Sequence, residues 1–227
     1  GRDIDSADEF ICINSGEING EFEGSINTMN AGVGGIAGNA GTFAKFYKSE
    51  NSGKINVNIK NSGSNSIIGA GGILGRANQN AELSKCVNSG IIGGYIIGNG
   101  TNSTAGMGGL VGVVSSTYLI TSNANPTITY CKNKGKVDRT VMGTGAGGTG
   151  TGTGGTGTGG ILGVVSSAGK IERCSNSGQV IGINNVGGIT GRTGPDTIHK
   201  ECSNEGVIQA SGKAYVGGIA GNISSVN

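Results

Sequence analysis

Five cysteines, one histidine and 14 carboxylates are the residues of this 227-residue chain suited to attacking a substrate, relaying protons or holding a metal. Their spacing argues against each of these uses. All five cysteines start the same phrase, Cys-x-Asn-x-Gly, at Cys12, Cys86, Cys131, Cys174 and Cys202, and Ser49 stands in for Cys in a sixth copy. A disulfide framework calls for an even count at irregular spacing. Zinc and related sites need close pairs such as Cys-x-x-Cys, and there is none. Stacked parallel thiols also point the same way, which disfavours the disulfide dihedral. The cysteines are therefore expected to form a column of buried, unpaired, small apolar side chains.

Other catalytic constellations fare no better. His199 is the only histidine, so neither a triad nor a histidine-based metal site is available. Asp3, Asp5, Asp8 and Glu9 form the only acidic cluster, ahead of the first phrase, while Asp138 and Asp196 are solitary. No carboxylate pair for glycoside cleavage is evident from spacing. The sequence thus nominates no catalytic residue, no metal ligand and no cofactor.

Positioning falls to a second phrase that alternates with the first. It reads Gly34-Gly35-Ile36-Ala37-Gly38, and returns from Gly71, Gly108, Gly159, Gly187 and Gly217. Six copies mark a scaffold rather than a single phosphate-cradling loop. From each Cys phrase to the next Gly-Gly the steps are 22, 22, 22, 28, 13 and 15 residues; the return steps are 15, 15, 23, 15 and 15. Repeated phrases at such spacing specify stacked structural units. Ile18, Ile55, Ile92, Val137, Val180 and Ile208 each lie six residues after a Cys-phrase start, and all are β-branched. No window combines helical spacing with good helix formers. The prediction is an all-β, single-stranded parallel β-helix of about six coils. Repeats start near residues 12, 49, 86, 131, 174 and 202, in one domain over 1–227. Each coil is expected to hold three short strands and three bends.

Ladders follow from this stacking. Asn14, Asn51, Asn88, Asn133, Asn176 and Asn204 occupy one position and are expected to hydrogen-bond from coil to coil. Asparagine at a bend tolerates the left-handed region, and the glycine two residues later permits φ > 0. Three stretches, 93–106, 115–129 and 143–158, read as loop insertions. Loops on a rigid scaffold tend to carry binding residues, so Tyr95, Tyr118, Thr149, Thr151 and Thr153 are the candidates for ligand contact.

Together the phrases resemble the GLUG motif. The closest copy runs Gly159-Gly160-Ile161-Leu162-Gly163-Val164-Val165, then Gly169-Lys170-Ile171-Glu172-Arg173-Cys174-Ser175-Asn176-Ser177-Gly178-Gln179-Val180. The resemblance covers roughly Phe10 to Asn222. Ser49 in place of Cys, the 23-residue step after Gly108 and the Gly/Thr-rich run before Gly159 depart from it. It implies large bacterial surface proteins, adhesin-like proteins and the non-catalytic parts of immunoglobulin-A-cleaving metallopeptidases, hence an extracellular, cell-surface setting. The motif has no catalytic residues to carry over.

Bulk properties narrow the partners. The net charge of +2 and the lack of a basic run leave out the footprint of a nucleic-acid binder. No apolar run approaches the roughly 20 residues of a membrane span. A non-catalytic structural or adhesive module is expected, meeting a surface glycan or a host protein. The competing expectations are a filament subunit that stacks on its own copies and a polysaccharide-active β-helix enzyme.

Overall fold

A computed structural model describes residues 11–78, 80–115, 126–143, 155–166, 168–211 and 215–223. Among the described residues the secondary structure is strands and turns, with no helix. The first coil sets the pattern with five strands: β1 (Ile13–Asn14), β2 (Ile18–Gly24), β3 (Asn30–Gly34), β4 (Ala37–Ala40) and β5 (Lys45–Tyr47). Equivalent strands stack in parallel into five sheets, four of six strands and one of five. The fold is a parallel β-helix of six coils, with five strands in each of the first five coils and four described in the last, rather than three.

Register explains why the phrases recur. Asn14 pairs with Asn51, Asn51 with Asn88, Asn88 with Asn133, Asn133 with Asn176 and Asn176 with Asn204. The ladder Ile18, Ile55, Ile92, Val137, Val180 and Ile208 runs in the next sheet. β-branched side chains pack well on such a surface. Each interior copy is fully buried, contributing about 1.5–3 kcal/mol.

The strands around Gly-Gly give the coil its cross-section. β3 enters, the Gly-Gly phrase turns, and β4 returns with its backbone against that of β3. A Cβ at Gly32 would collide with the carbonyl of Gly38, and one at Gly69 with that of Gly75. The tip of this arch reaches the opposite wall, where Gly109 lies against the Asn133 amide and the Gly160 carbonyl of the next coil. The interior is thereby divided into two apolar lobes. One holds Ile73, Leu110, Ile161, Leu83, Ile128 and the cysteines. The other holds Ile55, Ile92, Val137, Ile68 and Met107.

Two expectations about the phrases change. Gly135, the glycine of its Asn-x-Gly, is required by close approach rather than by a positive φ. A Cβ there would overlap the carbonyl of Gly90 in the coil before. The left-handed residue is not asparagine either. It is the residue ahead of the Cys position: Lys48, Lys85, Tyr130, Arg173 and Glu201, with φ between 48° and 56°.

The loop assignments also need correction. Gly93–Gly98 of the 93–106 stretch belongs to the strand Ile92–Gly98, which pairs along its whole length with Ile55–Asn61 and Val137–Gly143. Thr104 to Gly106 open the strand Thr104–Gly108. In the fifth coil the matching strand is only Val180–Gly182. The length difference is therefore a strand trimmed in later coils, not a loop added to earlier ones. Within 115–129, Thr127–Thr129 is a paired strand, and Gly155–Gly159 takes in the end of 143–158.

Gly109→Ala should destabilise the fold by about 3 kcal/mol or more, because backbone and a buried amide must both move. Gly41→Ala has open space around it and should stay within about 0.5 kcal/mol. Denaturant melts compare the two; equal midpoints would refute the arch contact.

Candidate functional site

The cysteine column is sealed rather than poised for reaction. Cys86, Cys131 and Cys174 are buried, Cys202 is partly covered, Cys12 is exposed, and all five are free thiols. Their thiols donate to nearby carbonyls: Cys174 Sγ to Ile128 O and Glu172 O, both at 3.4 Å, and Cys131 Sγ to Thr129 O at 3.3 Å. Burial pushes the Cys131 thiol well up. A protonated thiol in this setting acts as a small apolar side chain with a weak donor.

The asparagine ladder is a continuous hydrogen-bonded wire. Asn51 Nδ2 donates to Asn88 Oδ1 at 2.7 Å, Asn88 to Asn133 at 2.8 Å and Asn133 to Asn176 at 2.7 Å. The same nitrogens donate to the glycine carbonyl two residues on, as from Asn88 to Gly90 at 2.9 Å. Every donation between amides points toward the later coil. Cutting one amide would strand buried partners at about 1–3 kcal/mol each. The polar groups of both columns are spent on contacts within the stacked coils.

His199 completes the inward-facing chemistry. It stands in register with Ile171, in the ladder that elsewhere holds Leu83 and Ile128. Its Nε2 lies 2.9 Å from Thr190 Oγ1, and burial pushes its pKa below the ordinary 6.5.

The outward face of the corner ahead of the Cys column is different. Lys85, Val87, Tyr130, Lys132, Lys134 and Arg173 line an open groove of about 380 Å³. Lys85 Nζ donates to Tyr47 Oη at 2.8 Å and sits 5.1 Å from that ring's centre, with Lys48 at 5.4 Å. Arg173 lies 5.3 Å from the Tyr130 ring, hydrogen-bonds its hydroxyl, and pairs with Glu201 at 2.5 Å. That pairing holds the Glu201 carboxyl below its usual range. Lys132 and Lys134 form no ion pair among the described residues, whereas Lys136 beside them is paired with Asp138 at 2.6 Å.

The corner's backbone makes this groove costly. A side chain in the left-handed region costs roughly 1–2 kcal/mol relative to ordinary backbone. The corner is held because its N–H bonds to the next coil: Lys85 to Thr129 O, Tyr130 to Glu172 O and Arg173 to Lys200 O, at 2.8–3.0 Å.

The sequence-nominated binding residues divide. Tyr95 is half-buried on the strand Ile92–Gly98, in register with Asn58. Tyr118, Thr149, Thr151 and Thr153 lie outside the described residues. The structure brings together instead Tyr47, Lys48, Lys85, Tyr130, Lys132, Lys134 and Arg173, none of them nominated. Their signal was available: the residue before each Cys position is long and polar in every coil from the second on. Among the described residues, no group of three or more His, Cys, Asp or Glu side chains forms a metal-binding arrangement, and no helix is long and apolar enough to cross a membrane. A scan against family models finds no match to the chain, and neither do searches of curated proteins and solved structures.

His199 generates a pH prediction. A folded-state pKa below the unfolded one means that the unfolded chain takes up the proton first. Stability is intact above about pH 6.5 and is lost as pH falls from there toward the folded-state pKa. The melting temperature should drop between about pH 7.5 and pH 5.5. His199→Gln should flatten that slope, and an unchanged slope would assign the loss to another group.

Proposed function

We propose that the chain is a non-catalytic structural and adhesive module of a bacterial cell-surface protein, working outside the cell. The observation that carries this reading is the use of the repeated residues. The asparagine amides bond to one another, the buried thiols to backbone carbonyls, and the glycines make room for those contacts. The repeated chemistry therefore maintains a stiff rod, and the variable chemistry faces outward. The GLUG resemblance supports the cellular setting. A glycan array, run beside turnover assays on common polysaccharides with and without Ca²⁺, tests the reading. Saturable binding without chain shortening is expected. Turnover would replace it with the polysaccharide-active enzyme.

A second reading, head-to-tail stacking of copies, is favoured by the polarity of the ladder. Asn204 Nδ2 donates to Gly206 O at 3.0 Å but to no further amide, and Asn14 Oδ1 accepts from no preceding amide, among the described residues. A stacked copy would have to give Asn204 an amide acceptor and Asn14 an amide donor. Gly218 sharpens the test. In the five earlier coils the matching glycine abuts a carbonyl of the following coil, whereas nothing lies within 4 Å of a Cβ at Gly218. Gly218→Ala should leave the isolated chain folded and abolish concentration-dependent association in sizing experiments. A wild type that stays monomeric at all concentrations, or a variant that associates equally well, would end the stacking reading.

A further inference from the structure

The corner column differs from most of the chain's other left-handed positions, which use asparagine or aspartate. Of the six other described non-glycine residues in this region, Asn65, Asn80, Asn102 and Asp196 are of that kind, while Thr28 and Phe43 of the first coil are not, with φ between 54° and 64° overall. Asparagine and aspartate are the non-glycine residues that tolerate this region best. Glycine, at 49 residues, is abundant in the chain and tolerates it better still. Ahead of the Cys column neither solution is used: the residues are Lys48, Lys85, Tyr130, Arg173 and Glu201. Backbone strain held under long, charged or aromatic side chains marks a place where those side chains matter.

The placement of charge says what they meet. Lys85, Tyr130 and Arg173 occupy one position in three successive coils, so they rise along the rod by about 4.8 Å each. Lys132 and Lys134 flank them from the fourth coil, projecting outward on either side of buried Asn133. The cations thus spread along the axis, from Lys85 to Arg173, and across it, at Lys132 and Lys134, a patch able to meet successive charges of a linear ligand. Val87 and the Tyr130 ring add apolar surface suited to the C–H faces of sugars. A peptide adding to a sheet needs a free strand edge. The strands beneath the groove, Val87–Asn88 and Lys132–Asn133, are paired on both sides. The chain's net charge of only +2 lacks the excess expected of a nucleic-acid binder.

We infer that this groove binds acidic polysaccharide, with Lys85, Lys132, Lys134 and Arg173 holding carboxylate or sulfate groups and Tyr130 packing on a sugar ring. The inference rests on the adhesive reading and gives it a ligand class. Sugars are bound without a chemical step, so no proton or leaving group is involved. Arg173 reaches the ligand while keeping Glu201 as its structural partner.

The test is calorimetry on the whole 227-residue chain. The probes are oligogalacturonate (carboxylate), heparin oligosaccharide (sulfate), neutral dextran, polyglutamate and single-stranded DNA. At least one acidic oligosaccharide should bind and dextran should not, with affinity falling as salt rises. The better of the two acidic sugars identifies the anionic group. The double variant Lys132→Glu/Lys134→Glu should lose affinity by on the order of 25-fold, about fivefold per cation removed. Lys85→Gly should keep or raise the melting temperature while weakening binding, a split that a purely structural corner would not give. Unchanged affinity in the charge-reversed double variant would overturn the proposal. So would preference for polyglutamate or DNA over both acidic sugars. If a neutral glycan binds wild type and the double variant alike, the groove assignment fails and the adhesive reading stands. If no glycan of any class binds wild type, both fail.

Discussion

The contact between the tip of the Gly-Gly arch and the asparagine amide of the opposite wall is the constraint on which the coil depends. Gly35 meets Asn51, Gly72 meets Asn88, Gly109 meets Asn133, Gly160 meets Asn176 and Gly188 meets Asn204. A backbone with no Cβ is the only surface able to come this close to a buried amide. The amide is fixed in turn by its neighbours above and below. The two phrases thus form one device: the glycines admit the asparagines, and the asparagines hold the arch tip at a set depth. Without that contact the arch would have no fixed depth, and the two lobes would merge into a cavity that 34% apolar residues could not fill.

Division of the core explains how a chain so poor in aromatic residues stays packed. Each lobe is narrow enough for Ile, Leu, Val, Met and Cys to fill it in the interior coils, with Phe46 and Phe22 packed against the lobes only in the first. The cysteine fits this account as a volume choice. It fills the small space beneath the left-handed corner, and its thiol satisfies carbonyls that a methyl would leave with one partner fewer. Ser49 fills the same position in the second coil, where it is 1% exposed. Interchange of Ser and Cys at a buried position with unchanged register argues for shape and weak donation, not for redox chemistry.

Much of this was legible in the sequence, and the losses have physical causes. The all-β coil, its parallel register and the Cys and Asn ladders follow from phrases that recur at matching positions. Tyr95 was misplaced because Ile92-Gly93-Gly94-Tyr95-Ile96-Ile97-Gly98 has turn-like glycines in a segment whose neighbours above and below force it straight. A strand paired on both edges is held by its partners more than by its own propensity. The arch was half visible: glycine could signal either a tight turn or close approach, and spacing alone cannot separate the two. The groove was missed because Lys85, Tyr130 and Arg173 are 45 and 43 positions apart in sequence and adjacent only once the coils stack, while Lys132 and Lys134 by themselves make no basic run. A search for contiguous basic runs does not find charges that gather along an axis.

Stacking also assigns different freedoms to different atoms of the same coil. An inward residue touches its own copies above and below, so a change in one coil must be accommodated by two others, and the column stays uniform. An outward residue touches its copies only at the tips of long side chains, so composition can change from coil to coil. The register column Ile13, Glu50, Val87, Lys132, Ser175 and Ser203 shows this, alternating with an unbroken line of asparagines one residue away. The corner column obeys both rules at once. Its backbone is as uniform as the core, with φ held between 48° and 56°, while its side chains range over Lys, Tyr, Arg and Glu. That uniform backbone aims five side chains of four types in one direction at one axial interval. The same ladder that makes the rod stiff therefore sets the pitch at which its surface charges are displayed.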